Sequence, residues 1–342
     1  MSSAIHQLHL LCPITYTLLS LVEMTQNTEN KTDRRHFLKV SSIGTASLAA
    51  GGLLGPTTYA GGKPQAATSA ALHPTETKLE LLFLGTGAAN WPKTYPPVNQ
   101  KLTRGQVRGT SSMLINGHIL IDCGYTVVDV MKRYDVNPAG ITDILLTHTH
   151  ADHLHEASIL KIANSRDADL GPLKFWGDPE ALKKVPDSDR IEKCPVEVEQ
   201  GFNIDGLAIT GLEANHQVAG SKETCMIYLL EGATRSVLYA TDGAWLLTST
   251  WNTLRKKQLD AIIWDATCGE GAGDPRIFSH NDLSMIRHMN ASLLKGKILK
   301  PDAKIILTHI ARKLHPAHAV LEKRLLPEGL IPAYDGMSVV LK

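Results

Sequence analysis

The stretch Ile141-Thr142-Asp143-Ile144-Leu145-Leu146-Thr147-His148-Thr149-His150-Ala151-Asp152-His153 decides the fold. Its first half is an apolar, β-branched run that reads as a buried strand. Its second half sets three imidazoles and a carboxylate within six residues. Neutral imidazole and carboxylate donors suit zinc, manganese or iron. The strand would deliver them at its carboxyl end, where open α/β sheets place their sites.

Three later positions repeat that context. His216 closes Leu212-Glu213-Ala214-Asn215-His216, Asp242 closes Leu238-Tyr239-Ala240-Thr241-Asp242, and His309 closes Ile305-Ile306-Leu307-Thr308-His309. One such residue alone would be an ordinary cap or loop residue. Three of them, with the early cluster, point to one shared sheet edge.

From residue 78 to 342 the pattern is one α/β domain. Short Val-, Ile- and Leu-rich runs separated by Gly, Asn and Asp turns predict strands at Leu79–Leu84, Ser111–Ile115, Ile119–Asp122, Ile144–Thr147, Leu173–Trp176, Leu207–Glu213, Cys225–Leu230, Ser236–Ala240, Ala261–Trp264, Lys304–Thr308 and Met337–Leu341. Helices are expected at Thr126–Tyr134, Glu156–Ala163, Pro179–Lys184, Leu246–Lys257, Asn281–Leu294 and Pro316–Leu325. This favours two mixed sheets packed face to face with helices outside.

The residue set resembles the metallo-β-lactamase superfamily: His-x-His-x-Asp-His, a lone His, a lone Asp and a final His. The resemblance covers about Leu79 to Leu341 and implies an α/β fold, an αββα sandwich with a dinuclear cleft between the sheets. It implies that His148, His150 and His216 bind one divalent metal. Asp152, His153 and His309 would bind a second, and Asp242 would bridge them. Zinc is expected first, manganese or iron next. Asp122 resembles the family's buried Asp that steadies the ligand loop, although before Gly124 it also reads as a turn cap. Two such metals lower the pKa of a shared water from ~15.7 toward ~7, so hydrolysis is the default reaction.

Finer features narrow the branch. A bridging Asp242 is not placed there in true zinc β-lactamases. Glyoxalase II-like hydrolases carry a sizeable C-terminal helical domain, and thirty-three residues follow His309 here. Leu82-Phe83-Leu84-Gly85-Thr86-Gly87-Ala88-Ala89 resembles the opening of the phosphodiesterase branch that includes the tRNA 3′-processing nucleases. Ser279-His280-Asn281-Asp282-Leu283 resembles a motif of cyclic phosphate phosphodiesterases. By that likeness His280 is a general acid for the leaving alkoxide; its alternative is a helix cap. Asp152 and His280 are thus the candidate catalytic residues. That group carries a cysteine-rich zinc site soon after the first Gly turn, whereas residues 90–109 contain no Cys. Lys101, Arg104 and Arg108 in this loop could meet a phosphate or serve as surface charges.

The expected substrate is a small cyclic or diester phosphate. Lactone, thioester or sulfate-ester hydrolysis, and a non-catalytic metal- or partner-binding role, are the alternatives. The formal net charge of +1 gives no nucleic-acid footprint, so no nucleic-acid partner is expected.

Residues 1–60 read as an N-terminal extension and export signal. Thr32-Asp33-Arg34-Arg35-His36-Phe37-Leu38-Lys39 resembles the twin-arginine motif, and a Gly- and Ala-rich apolar stretch follows from Val40 to Gly55. It is too short and glycine-rich for a membrane span, and no Cys follows it for a lipid anchor. The expectation is periplasmic or other extracytoplasmic placement through the twin-arginine translocation machinery, with no stable membrane anchor after cleavage. Met24 is the expected start of translation, and residues 61–77 read as a linker. Five scattered cysteines with no Cys-x-x-Cys pair exclude a cysteine zinc cage.

Overall fold

The computed structural model describes residues 78–342 apart from Ala272. The signal, start and linker expectations lie outside the described residues. Six strands come first: β1 (Leu79–Gly85), β2 (Ser112–Ile115), β3 (Ile119–Ile121), β4 (Asp143–Leu145), β5 (Leu173–Gly177) and β6 (Ile191–Pro195). They form one sheet in chain order. The next seven build a second sheet: β7 (Gly201–Ile204), β8 (Leu207–Glu213), β9 (Met226–Glu231), β10 (Ser236–Ala240), β11 (Leu259–Asp265), β12 (Leu299–Thr308) and β13 (Leu330–Pro332). The last strand, β14 (Met337–Leu341), returns to pair antiparallel with β1 at the edge of the first sheet.

Parallel neighbours need crossovers, and the helices supply most of them. Helix α1 (Val127–Arg133) links β3 to β4, α2 (Glu156–Ser165) links β4 to β5, and α3 (Thr248–Leu254) links β10 to β11. Helix α4 (Leu283–Lys295) links β11 to β12, and α5 (His318–Leu325) links β12 to β13.

Alternation along the strands divides the core into layers. Leu79, Leu81 and Phe83 of β1 meet Val237 and Tyr239 of β10 and Ala261 and Ile263 of β11 between the sheets. Leu238, Ile262 and Trp264 turn to the other face and pack under α4. Leu120, Ile144 and Phe175 pack under α1 and α2. The result is the expected αββα sandwich.

Three strands were not expected: β6, β7 and β13. Each is an edge strand of its sheet, short, and polar, glycine- or proline-containing. The segment expected as a helix at Pro179–Lys184 is a four-residue 3-10 turn, Ala181–Lys184, because the Asp178 carboxylate takes the Glu180 and Ala181 amides at its start. Cys123, Cys194, Cys225 and Cys268 are all buried and free.

Candidate metal centre

The carboxyl ends of β3, β4, β8, β10, β11 and β12 meet along one edge of the sandwich. Asp122, Asp242 and His309 each follow a strand closely, with left-handed φ of 61°, 56° and 54°. For non-glycine residues that conformation costs roughly 1–2 kcal/mol each. Here it turns the chain sharply out of the strand while the side chain stays buried at the edge. At Gly124 the loops are in direct contact: a Cβ there would lie 1.9 Å from the Asp152 carbonyl oxygen.

The seven residues expected as ligands converge. His150 Nδ1 lies 2.7 Å from His148 Nε2 and 3.2 Å from His216 Nε2. Asp242 Oδ2 lies 2.9 Å from His153 Nε2 and 3.2 Å from His309 Nε2. Asp152 Oδ2 lies 3.4 and 3.5 Å from the same two nitrogens. Four compact donor groups result: His148 with His150 and His216, Asp152 with His153 and His309, His148 with His153 and Asp242, and Asp242 with Asp265, His280 and His309. Asp242 therefore stands between the two histidine groups.

The donor set fits metal ions on a direct observation. His153 Nε2 and His309 Nε2 are buried and crowd within 2.9–3.2 Å of the buried Asp242 Oδ2, without a well-aligned hydrogen bond among them. Buried polar atoms are rarely left so, and a cation satisfies all three at once. Burial also holds the His148, His150 and His216 imidazoles below their usual pKa, so they are neutral donors at pH 7. Burial opposes charge on Asp242, but His309 and His153 outweigh it and keep the carboxylate ionised.

The far ring nitrogens of His153, His216 and His309 are each held. His153 Nδ1 donates to Asp122 Oδ2 at 2.7 Å, and the same carboxylate accepts from the Thr147 amide and hydroxyl at 2.8–3.0 Å. His216 Nδ1 donates to the Ser279 carbonyl, and His309 Nδ1 meets Thr267 Oγ1 at 2.7 Å. Such partners fix ring orientation.

His280 faces the same cleft of about 440 Å³, with Asp152, Asp242, His150 and His309. Its Nδ1 lies 2.7 Å from Asp265 Oδ2. Burial lowers the pKa of this ring, but Asp265 outweighs it and pushes the value up to about 9. Lys93, Tyr125 and Arg276 also line the cleft. Lys101 does not, and Arg104 and Arg108 line a neighbouring cavity instead.

Asp265, Glu223, Thr267 and Arg276 escaped the sequence reading. Asp265 closes the wholly buried β11 just as Asp242 and His309 close their runs, so its signal was available. Glu223 gave none, because it sits in a polar loop. Its carboxylate accepts from the Thr149 amide and hydroxyl and from Ser221 Oγ, each at 2.7 Å, and pairs with Lys184 at 3.0 Å. Thr149 lies between His148 and His150, so Glu223 clamps that motif from the opposite sheet.

Fold and cleft together define a metal-dependent hydrolase. The chain belongs to the family described as the Beta-lactamase superfamily domain, whose sequence model matches residues 118–293, just over half of the 342 residues. The Ribonuclease Z of Pyrobaculum islandicum is 24% identical over 307 residues, spanning 77% of this chain and 98% of that protein. Two solved structures share the fold. A diphosphatase from the PhnP family superposes with a TM-score of 0.60 at 18% identity, covering 77% of this chain and 98% of its own. The Zn²⁺-bound PqqB of Methylobacterium extorquens superposes with a TM-score of 0.58 at 16% identity, covering 76% of this chain and 99% of its own.

Proposed function

We propose that the protein is a phosphodiesterase whose cleft holds two divalent cations, zinc first among them. His148, His150 and His216 would hold one, Asp152, His153 and His309 the other, with Asp242 between. When bound, such a pair supplies Lewis acidity to a phosphoryl oxygen and lowers the pKa of water toward neutrality. The chain's own residues do the rest. Asp122, Thr267 and Glu223 fix the ligands. His280, held by Asp265, keeps a proton on the nitrogen that faces the cleft and gives it to the departing alkoxide. Lys93 adds positive charge where an anionic diester would enter, while the nearby Arg276 is paired with Asp274.

The observation that carries this reading is His280, held from behind by the buried Asp265, opening on the same cleft as the donors His150, Asp152, Asp242 and His309. A leaving alkoxide needs that proton, and an imidazolium near neutral pH is suited to give it. The relative named Ribonuclease Z and the PhnP-family diphosphatase support a phosphate ester. They also keep a nucleic-acid diester within the proposal, against the expectation from net charge. The paired Arg34-Arg35 supports export; cell fractionation with an Arg34→Lys, Arg35→Lys control tests that separately.

The test is a panel run on metal-reconstituted protein: chromogenic phosphate mono- and diesters, a short RNA, lactones, thioesters and sulfate esters. Diester hydrolysis that disappears with chelator supports the proposal. Turnover confined to lactones, thioesters or sulfates replaces it, and bound metal with no hydrolysis at all indicates a binding protein.

A further inference from the structure

A cavity of about 660 Å³ lies beside the metal cleft and plays no part in the steps above. The two cavities share Ala311. Between them runs a ridge where residues 90–91 meet residues 310–312. Trp91 Nε1 donates to the Ile310 carbonyl at 2.7 Å, and the Arg312 amide donates to Asn90 Oδ1 at 2.9 Å.

The larger cavity is built of donors. Arg104, Arg108 and Arg312 line it against one carboxylate, Glu322. Arg104 is paired with Glu322 at 2.9 Å. Arg108 is buried, bonded to Thr86 and the Ala333 carbonyl, with Asp335 behind Thr86 and outside the lining. Arg312 is exposed, stands 5.6 Å from the Trp91 ring centre, and makes no ion pair among the described residues. Positive charge is therefore in excess.

His318 gives an independent sign. Arg108 reaches its Nδ1 at 3.0 Å, and a guanidinium can only donate. Nδ1 is thus the acceptor, and Nε2 carries the hydrogen. That N–H belongs to a side chain 2% exposed and makes no well-aligned hydrogen bond; Glu322 Oε1, which also accepts from Arg104, stands 3.4 Å off. His318 also opens α5, and Ala317 before it offers no side-chain cap. The first-turn amides of a helix are unpaired within it and favour anions, and residues 317–319 line this cavity.

We propose that this cavity is a second anion subsite, holding a phosphate of the substrate other than the one being hydrolysed. Resting on the phosphodiesterase reading of the metal cleft, the assignment narrows the substrate to diesters that carry another phosphoryl group across the Trp91–Arg312 ridge. The group could be the next phosphate of a short oligonucleotide or a monoester on a small molecule.

Two substrate pairs test this with the full-length metal-loaded protein. One is a dinucleoside monophosphate with and without a terminal phosphate. The other is an alkyl p-nitrophenyl phosphate diester with and without a phosphate on the alkyl arm. The expected result is a kcat/KM at least about tenfold higher for the phosphorylated member, carried mainly by KM. The preference falls toward one in Arg312→Ala and His318→Ala and is largely kept in Arg312→Lys. Arg312 is exposed, so that pair of variants stays informative if His318→Ala fails to fold. A preference in both pairs means that phosphate alone is read; a preference only in the dinucleotide pair means that the nucleic-acid backbone is read. Equal kcat/KM within both pairs, with diester hydrolysis intact, overturns the subsite and leaves the phosphodiesterase standing. Hydrolysis of none of the four overturns the phosphodiesterase reading itself.

Discussion

Replacing Asp265 by Asn isolates the proton-donating role of His280. Asn keeps the shape and can still accept the Thr267 amide that Asp265 Oδ1 takes at 2.7 Å. It removes the negative charge 2.7 Å from His280 Nδ1. With Asp265 present the His280 pKa stands at about 9, although burial opposes the charge. Without it, and with Asp242 committed to the cations, burial brings the ring down to its ordinary value of about 6.5. At about pH 7.5 the protonated fraction then falls from nearly all to about one tenth. Two dications beside the ring lower both values together, and once both lie under the assay pH the deficit approaches about 300-fold. Activity that needs the imidazolium is present below the pKa and lost as pH rises through it. The alkaline limb of kcat is therefore expected between about 6.5 and about 9 in the native protein and below about 6.5 in the variant. The assay compares a diester with an alkyl leaving group and one with a p-nitrophenyl leaving group, which departs without a proton. The alkyl ester should lose the worked factor, the nitrophenyl ester little, and metal content should not change. His280→Ala should deepen the loss on the alkyl ester to about 10²–10⁴. An unmoved alkaline limb, or equal losses on both esters, would refute the general-acid assignment.

Other changes probe the framework. Glu223→Gln removes the charge that anchors Thr149, and metal affinity should weaken by about 10–100-fold; a dissociation constant within twofold of the native value, measured by competition with a chromogenic chelator, would show that the clamp is idle. Gly124→Ala places a Cβ 1.9 Å from the Asp152 carbonyl oxygen. The two loops must part, at a cost of about 1–3 kcal/mol, and an unchanged urea midpoint would contradict the contact. Burial opposes protonation of His153, but Asp242, Asp152 and Asp122 outweigh it and hold its pKa well above 6.5 in the metal-free chain. A cation must displace that proton, so metal uptake at neutral pH should release about one proton and tighten as pH rises. Calorimetry in buffers of different ionisation enthalpy measures it, and zero release would remove His153 Nε2 from the ligand set.

How much was legible follows from which residues face what. Strands β10 and β11 are buried on both faces, so Ser236–Ala240 and the centre of β11 read as unbroken apolar runs. Edge strands β6, β7 and β13 expose one side, so their pattern dissolves into ordinary loop composition. The cleft residues were readable because a polar side chain directly after an apolar run stands out, and seven of them share one edge. Asp265 obeyed the same rule but belongs to the strand itself, where it reads as a terminator. Glu223 could not be found at all. Its partners lie seventy-four residues away at Thr149 and thirty-nine away at Lys184, and only the packing of two sheets brings them together.

The loop before β2 shows how one scaffold changes its approach to the same chemistry. The cyclic phosphate phosphodiesterases that the sequence resembles carry a cysteine-rich zinc site here, and residues 90–109 depart from them in holding no cysteine. A buried carboxylate organises the loop instead. Asp335 accepts from Thr86 Oγ1 at 2.7 Å, Tyr95 Oη at 2.9 Å and the Gly109 amide at 2.6 Å. Burial pushes the Asp335 pKa up to about 6, so these donors and the nearby Arg108 offset only part of its desolvation. Both ends of the loop are thereby tied to the segment before β14, with Thr86 shared between Asp335 and Arg108. A structural metal would have fixed the loop to itself. This network fixes it to the C-terminal residues, and through Arg108 to His318 at the start of α5. Loop position, Arg108 and the donors of the second cavity form one connected unit.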